Sequence, residues 1–155
     1  MKKLIKTIAV IMAVSTLSFC ISACNKDENS SDNNSSSIIN QHYNSVEDYY
    51  NDINIQNLIE TTAQSAPDTM FFLCYVIDNQ FIYEYQYKTQ ISDADLDSVK
   101  VSFDEMLEVS LATDKVMMQE LLNFTNEDNP QIVYKYLNAD ATIIAEEILD
   151  KEILN

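Results

Sequence analysis

Asp93-Ala94-Asp95-Leu96-Asp97 sets three carboxylates at alternate positions, the way a twelve-residue calcium loop begins. The remainder of such a loop is missing. Its sixth position, where the sharp turn needs glycine, is Ser98, and its twelfth is Asp104, shorter than the Glu that would close the shell bidentately. These acids fit better in the first turn of a helix, where the positive end of the macrodipole favours them. No metal and no cofactor is expected. His42, the only histidine, stands ahead of the folded segment, so neither Ser-His nor Cys-His nucleophile chemistry has a base in reach. Cys74 lies in an apolar run, where a thiol is a small hydrophobe before it is a nucleophile. The chain has no Gly, which removes phosphate-cradling loops and the nucleophile elbow. With 25 Asp and Glu, some carboxylate pair falls within hydrolase distance by chance, so abundance points to no active site. No catalytic residue is assigned.

The tyrosines offer the other chemistry. Tyr83, Tyr85 and Tyr87 share one face of a strand, and Tyr134 and Tyr136 repeat the spacing. Together they are candidate ligand-binding residues, an aromatic platform for a peptide or glycan. The competing reading, favoured here, makes the same face the core, covered by the apolar stripe Leu96 to Leu111 with the hydroxyls reaching its rim.

Charge narrows the classes of partner. The sequence has no Arg, and all its acids lie after Cys24. Such a surface repels duplex nucleic acid and anionic lipid and attracts cationic proteins or peptides.

Those residues must be delivered and positioned. Lys2, Lys3 and Lys6 precede an apolar run from Ile8 to about Leu17, the pattern of a secretory signal peptide. Cys20 follows the bulky Phe19, whereas Cys24 follows Ile21-Ser22-Ala23. Ile21-Ser22-Ala23-Cys24 resembles the lipobox of bacterial lipoproteins, which implies cleavage after residue 23 and lipidation of Cys24. Residues 1–23 then leave as the signal peptide. The remaining chain carries 25 acids against 6 Lys, a net charge of −19. Residues 24–40 follow as the lipidated Cys and a polar linker, NKDENSSDNNSSS at its heart, with almost nothing to bury. Residues 41–155 form one domain, large enough to bury a core without a disulfide.

Within it, Ser45-Val46-Glu47-Asp48 caps a helix that runs to about Ala63, ahead of the break Ala66-Pro67-Asp68. MFFLCYVI and QFIYEYQYK flank Asp78-Asn79 and form a hairpin. The first strand is apolar on both faces and should be covered on both or lie centrally; the second has one wet face. Ser92 to Asp95 caps a helix through Leu111, and Thr113-Asp114 caps a shorter one through Leu122. QIVYKYLN is a strand, and Ala141 to Ile148 is either a returning strand or a frayed end. The fold class is α+β: an antiparallel sheet of three to four strands against two or three helices, ordered α-β-β-α-α-β-β.

That order, with the terminal run Val133-Tyr134-Lys135-Tyr136-Leu137-Asn138-Ala139-Asp140, resembles a small domain of unknown function in lipoproteins of low-GC Gram-positive bacteria. It covers about residues 45 to 148. Members carry Gly after the Asp of the last turn, where Ala141 stands here. The resemblance implies a membrane-tethered extracytoplasmic lipoprotein at the cell surface and lends no activity. The expected function is a non-catalytic binding or interaction module. The alternatives are a structural or accessory surface lipoprotein and a small carboxylate-based hydrolase.

Overall fold

The structure is a computed structural model that describes residues 42–155. The expected signal peptide, the lipidated Cys24 and the polar linker lie outside the described residues.

Two helices open the domain where one is expected. Ser45 caps α1 (Val46–Tyr50) by accepting the Asp48 N–H, and Asp52 caps α2 (Ile53–Ser65) by accepting the Asn54 N–H at 2.8 Å. A second cap seven residues after the first interrupts the helix, because Asp bonds its own downstream backbone more readily than it continues a helix. Ala66 ends α2 with extended dihedrals (φ −62°, ψ 144°), as a residue before Pro67 must. The hairpin follows as β1 (Met70–Ile77) and β2 (Gln80–Tyr87), joined by Asp78-Asn79, in which Asp78 takes the left-handed backbone (φ 54°).

One continuous helix, α3 (Leu96–Phe124), replaces the two expected between Ser92 and Leu122. Thr113-Asp114 reads as a cap in the sequence, but the Asp114 side chain points into the core and takes hydrogen bonds from Ser110 and Tyr134 instead. With no competing cap the helix runs through. Its inner stripe, Phe103, Met106, Ser110, Asp114, Met117, Met118 and Leu121, keeps the three-and-four spacing of a helix buried on one face.

Two strands complete the sheet, β3 (Gln131–Leu137) and β4 (Ile143–Leu149), with a terminal 3-10 helix at Lys151–Leu154. The sheet order is β1-β2-β3-β4. Its two outer pairs are antiparallel hairpin partners, but β2 and β3 run parallel, so the sheet is mixed where an antiparallel one is expected. The long helix causes this: it carries the chain back along the sheet, so β3 must start from the same end as β2. Asn138 fixes the far end of the crossover, accepting the Ile91 N–H (2.7 Å) and donating to the Ile91 carbonyl (3.1 Å). The turn into β4 forms with Ala141 itself in the left-handed region (φ 65°), held by Thr142 bonding back to Asp140.

The three described helices pack on one face of the sheet. The core gathers Val46, Tyr49 and Ile55 from α1 and α2, the inner stripe of α3, and Phe81, Tyr83, Tyr87, Ile132, Tyr134 and Tyr136 from the central strands. Among the described residues this core runs from Tyr43 to Leu154.

Candidate functional site

The five candidate tyrosines lie on the helix-covered face. Parallel register sets Tyr83 beside Tyr134 and Tyr85 beside Tyr136. Tyr83 and Tyr134 stack with ring centroids 5.2 Å apart and planes 14° off parallel, while Phe103 from α3 meets Tyr136 edge-on at 4.8 Å. Tyr83, Tyr87, Tyr134 and Tyr136 are buried and Tyr85 is partly so. The exposed platform considered for them is therefore not formed, and the alternating strand face is core, because a 29-residue amphipathic helix lies across it.

These rings enclose a carboxylate that spacing alone does not reveal. Asp114 is 2% exposed, and both its oxygens are engaged: Ser110 Oγ donates to Oδ2 at 2.6 Å and the Tyr134 hydroxyl to Oδ1 at 2.6 Å. Burial pushes its pKa up, and the two hydrogen bonds pull part of the way back. The Tyr83 hydroxyl ends on Met117 Sδ (3.4 Å), and burial pushes the Tyr83 and Tyr134 phenols far above their ordinary range. A carboxylate so enclosed, with each oxygen hydrogen-bonded, orders the core. Glu120, beyond it on α3, accepts from the Tyr49 hydroxyl at 3.0 Å, and burial raises its pKa also.

The remaining candidates are dispersed. Burial alone raises the Cys74 thiol well above its ordinary range, which suppresses the thiolate. His42 is exposed and pairs with Asn126 Oδ1 at 2.8 Å. Asp93 and Asp95 fall in the turn before α3, where Asp95 accepts from Ser92 Oγ, and Asp97 is in its first turn. Among the described residues, no three His, Cys, Asp or Glu side chains converge as metal ligands. An open, shallow hollow of about 340 Å³ lies between α3 and the terminal 3-10 helix, lined by Lys115, Val116, Gln119, Glu120, Asn123 and Leu154.

The surface that stands out is the sheet's other face. Contrary to the expectation that it lie centrally, β1 is an edge strand, and among the described residues no helix packs on its outer face. Phe71 (56% exposed), Leu73 (54%) and Ile77 (52%) project from it, and Ile143 (58%) and Ile148 (49%) project on the same side of β4. The register places all five on the face opposite the tyrosines, and half of the ten exposed large hydrophobics of the domain are thus gathered there. Between them, on the two central strands, Ile82 (1% exposed), Val133 and Leu137 are buried, so only the edges of this face are exposed. The charged groups of this face pair off: Lys135 Nζ lies 3.4 Å from Glu146, Tyr75 donates to Glu84 at 2.8 Å, and Lys88 sits over the Phe71 ring at 5.0 Å. The sequence holds the signal for this surface in the unbroken apolar run MFFLCYVI; it is legible only once the strand is known to be at the edge.

No curated protein and no solved structure matches the chain. A family model matches residues 46–148, nearly the same stretch as the resemblance drawn from the terminal strand and its turn. That match takes in everything from α1 to the end of β4 apart from one residue, and the chain belongs to the family described as the domain of unknown function DUF4854.

Proposed function

We propose that this protein is a membrane-tethered extracytoplasmic lipoprotein whose domain is a non-catalytic interaction module, with the exposed edges of the outer sheet face as its contact surface. The observation that carries the reading is the exposure of Phe71, Leu73, Ile77, Ile143 and Ile148 along the two edges of the sheet face opposite the described helices. Large apolar side chains left exposed together along a sheet edge mark places where something docks. The stretch Ile21-Ser22-Ala23-Cys24 supports the lipid anchor, and the polar residues after it suit a tether. The acids supply a second property. Residues 42–155 hold 22 Asp and Glu against 5 Lys, and only Glu84 and Glu146 belong to the outer face of the sheet. The helical layer and the loops therefore carry most of the negative field, which favours cationic proteins or peptides and repels nucleic acid and anionic headgroups.

Hydroxyl-radical footprinting tests the contact surface without knowledge of the occupant. Phe71, Leu73, Ile77 and Ile148 should label less on intact cells than in the dilute purified protein, while Val101 and Val109, exposed on α3, label equally in both. Equal labelling of the sheet face in the two settings would refute the reading.

A further inference from the structure

We propose that the edge of β4 takes up an extended cationic segment of a partner protein as a fifth strand of the sheet. The inference rests on the reading of the sheet edges as the contact surface; it names which edge is used and by what. Gln131 donates its N–H to the Asn79 carbonyl at 2.9 Å, on the β2 side of β3. Backbone groups alternate along a strand, so Val133 and Lys135 also turn theirs towards β2, and Ile132, Tyr134 and Tyr136 turn theirs towards β4. Their partners Leu149, Glu147 and Ala145 are thereby engaged. The N–H and C=O of Glu146 and Ile148 then point away from the sheet. Strand β4 packs on β3 and α3, and no described element pairs with its other edge. The edge of β1 is not free in the same way. Its outward Cys74 carbonyl already takes the Tyr50 hydroxyl at 3.0 Å, and α1 and α2 pack beside it.

A row of unpaired N–H and C=O groups selects an extended backbone before it selects any side chain. The side chains then set the composition of that segment. On the outer face the exposed Ile143 and Ile148 flank Glu146, whose charge Lys135 already meets at 3.4 Å. That side calls for apolar residues. On the helix side Glu147 is exposed and has no ion pair among the described residues, and Asp150 and Glu152 follow it in the chain. That side, next to the acidic helical layer, calls for Lys or Arg. Successive residues of a strand face opposite ways, so one segment of alternating apolar and basic residues meets both demands.

A second copy of β4 does not meet them. Antiparallel pairing of two such edges about the middle of the strand sets Glu146 against Glu146, and like charges directly opposite are destabilising. Acids on an edge strand keep identical edges apart. The same acids leave this edge open to a basic segment.

The probe is an end-blocked octapeptide of alternating Lys and Val, titrated by fluorescence anisotropy against the full-length protein in neutral detergent. The expected result is saturable binding that weakens about tenfold or more between roughly 0.01 M and 0.15 M NaCl. Backbone amide exchange should slow over residues 143–149 and stay unchanged over residues 70–77. N-methylation of the Val residues, whose N–H groups face Glu146 and Ile148, should abolish binding, whereas N-methylation of the Lys residues should preserve it. Ile148→Pro removes an outward N–H that β3 does not use, so it should keep the circular dichroism spectrum and lose the peptide, while Ile148→Ala keeps both. If Ile148→Pro fails to fold, the two methylated peptides decide the matter on the unaltered protein. No binding of the alternating peptide at either salt, equal binding of the two methylated peptides, or protection of residues 70–77 in place of 143–149 would overturn the proposal. If such a result came with Ile148 still protected on cells, the contact reading would stand with a different occupant. An unprotected Ile148 together with no peptide binding would remove both.

Discussion

Asp114→Ala should destabilise the domain by about 2–3 kcal/mol at neutral pH. The substitution strips the acceptor from two short hydrogen bonds, each 2.6 Å, and leaves the buried Tyr134 hydroxyl beside the Tyr83 ring without its partner. A buried hydroxyl left unsatisfied costs about 1–3 kcal/mol, and a hydrogen bond to a charged group contributes about 1.5–3 kcal/mol. Against this, removing Asp114 ends the cost of burying a carboxylate, so the sum of the two losses is an upper bound. For a domain of this size the melting temperature should fall by roughly 4 °C per kcal/mol, or about 8–12 °C. Asp114→Asn separates the two effects, since its amide oxygen still accepts from Tyr134 while the charge is gone. It should melt within about 4 °C of the unaltered protein at pH 7. The pH dependence has a definite sign. Burial raises the Asp114 pKa in the folded state, so the folded chain holds that proton more tightly than the unfolded chain does. Its protonation adds stability that is complete below the ordinary carboxyl value of 3.8 and is lost as pH rises through the higher folded value. Glu120 acts in the same direction, and so does general repulsion among the acids. The difference between the unaltered protein and Asp114→Asn isolates Asp114: the unaltered protein should gain stability relative to Asp114→Asn as the pH is lowered from 7 towards 4. Thermal unfolding followed by circular dichroism reads all of this. Asp114→Ala as stable as the unaltered protein at pH 7, or Asp114→Asn as damaged as Asp114→Ala, would refute the account of this buried cluster.

Ala141 adopts φ 65°, where glycine has no Cβ to clash, so Ala141→Gly should raise stability by about 0.5–1 kcal/mol in the same melts; a loss would show that the turn is not strained. In residues 42–155 Cys74 is the only thiol, and its burial should hold alkylation by iodoacetamide at pH 8 far below the rate in denaturant; equal rates would place the thiol at the surface. In cells, Cys24→Ala should abolish incorporation of radiolabelled fatty acid while Cys20→Ala leaves it unchanged, and labelling that survives Cys24→Ala would remove the anchor at that residue.

Local signals in the sequence were sufficient for most elements and insufficient for their arrangement. The cap at Ser45, the break at Pro67, the hairpin at Asp78-Asn79 and the strand QIVYKYLN all follow from near neighbours, and all are present. Thr113-Asp114 failed because a cap and a buried acceptor look alike in one dimension. The two differ only in whether a tyrosine twenty residues on reaches the carboxylate, and Tyr134 does. Parallel pairing of β2 with β3 was illegible for a related reason. Strand direction depends on where α3 delivers the chain, and the expected break at Thr113 concealed a single helix long enough to cross the sheet.

The misplacement of β1 has a different origin, and it bears on function. Apolar residues on both faces of MFFLCYVI require cover on both sides, and within one chain the only such place is the centre of the sheet. The chain puts the strand at the edge, because it is the first strand of a hairpin whose second strand already receives β3 on its other side. Among the described residues the sequence and the fold thus disagree at the outer edge of β1, and the disagreement disappears if that edge is covered. Local rules that fail in an otherwise consistent domain tend to fail where the molecule meets something else. The tyrosines show the converse. They looked like a binding platform because they alternate on one strand face, yet the same alternation is what a long amphipathic helix needs beneath it, and the fold spends them on its core. The proposed contact surface therefore lies along the edges carrying Leu73 and Ile148, opposite the layer that the aromatic residues hold together.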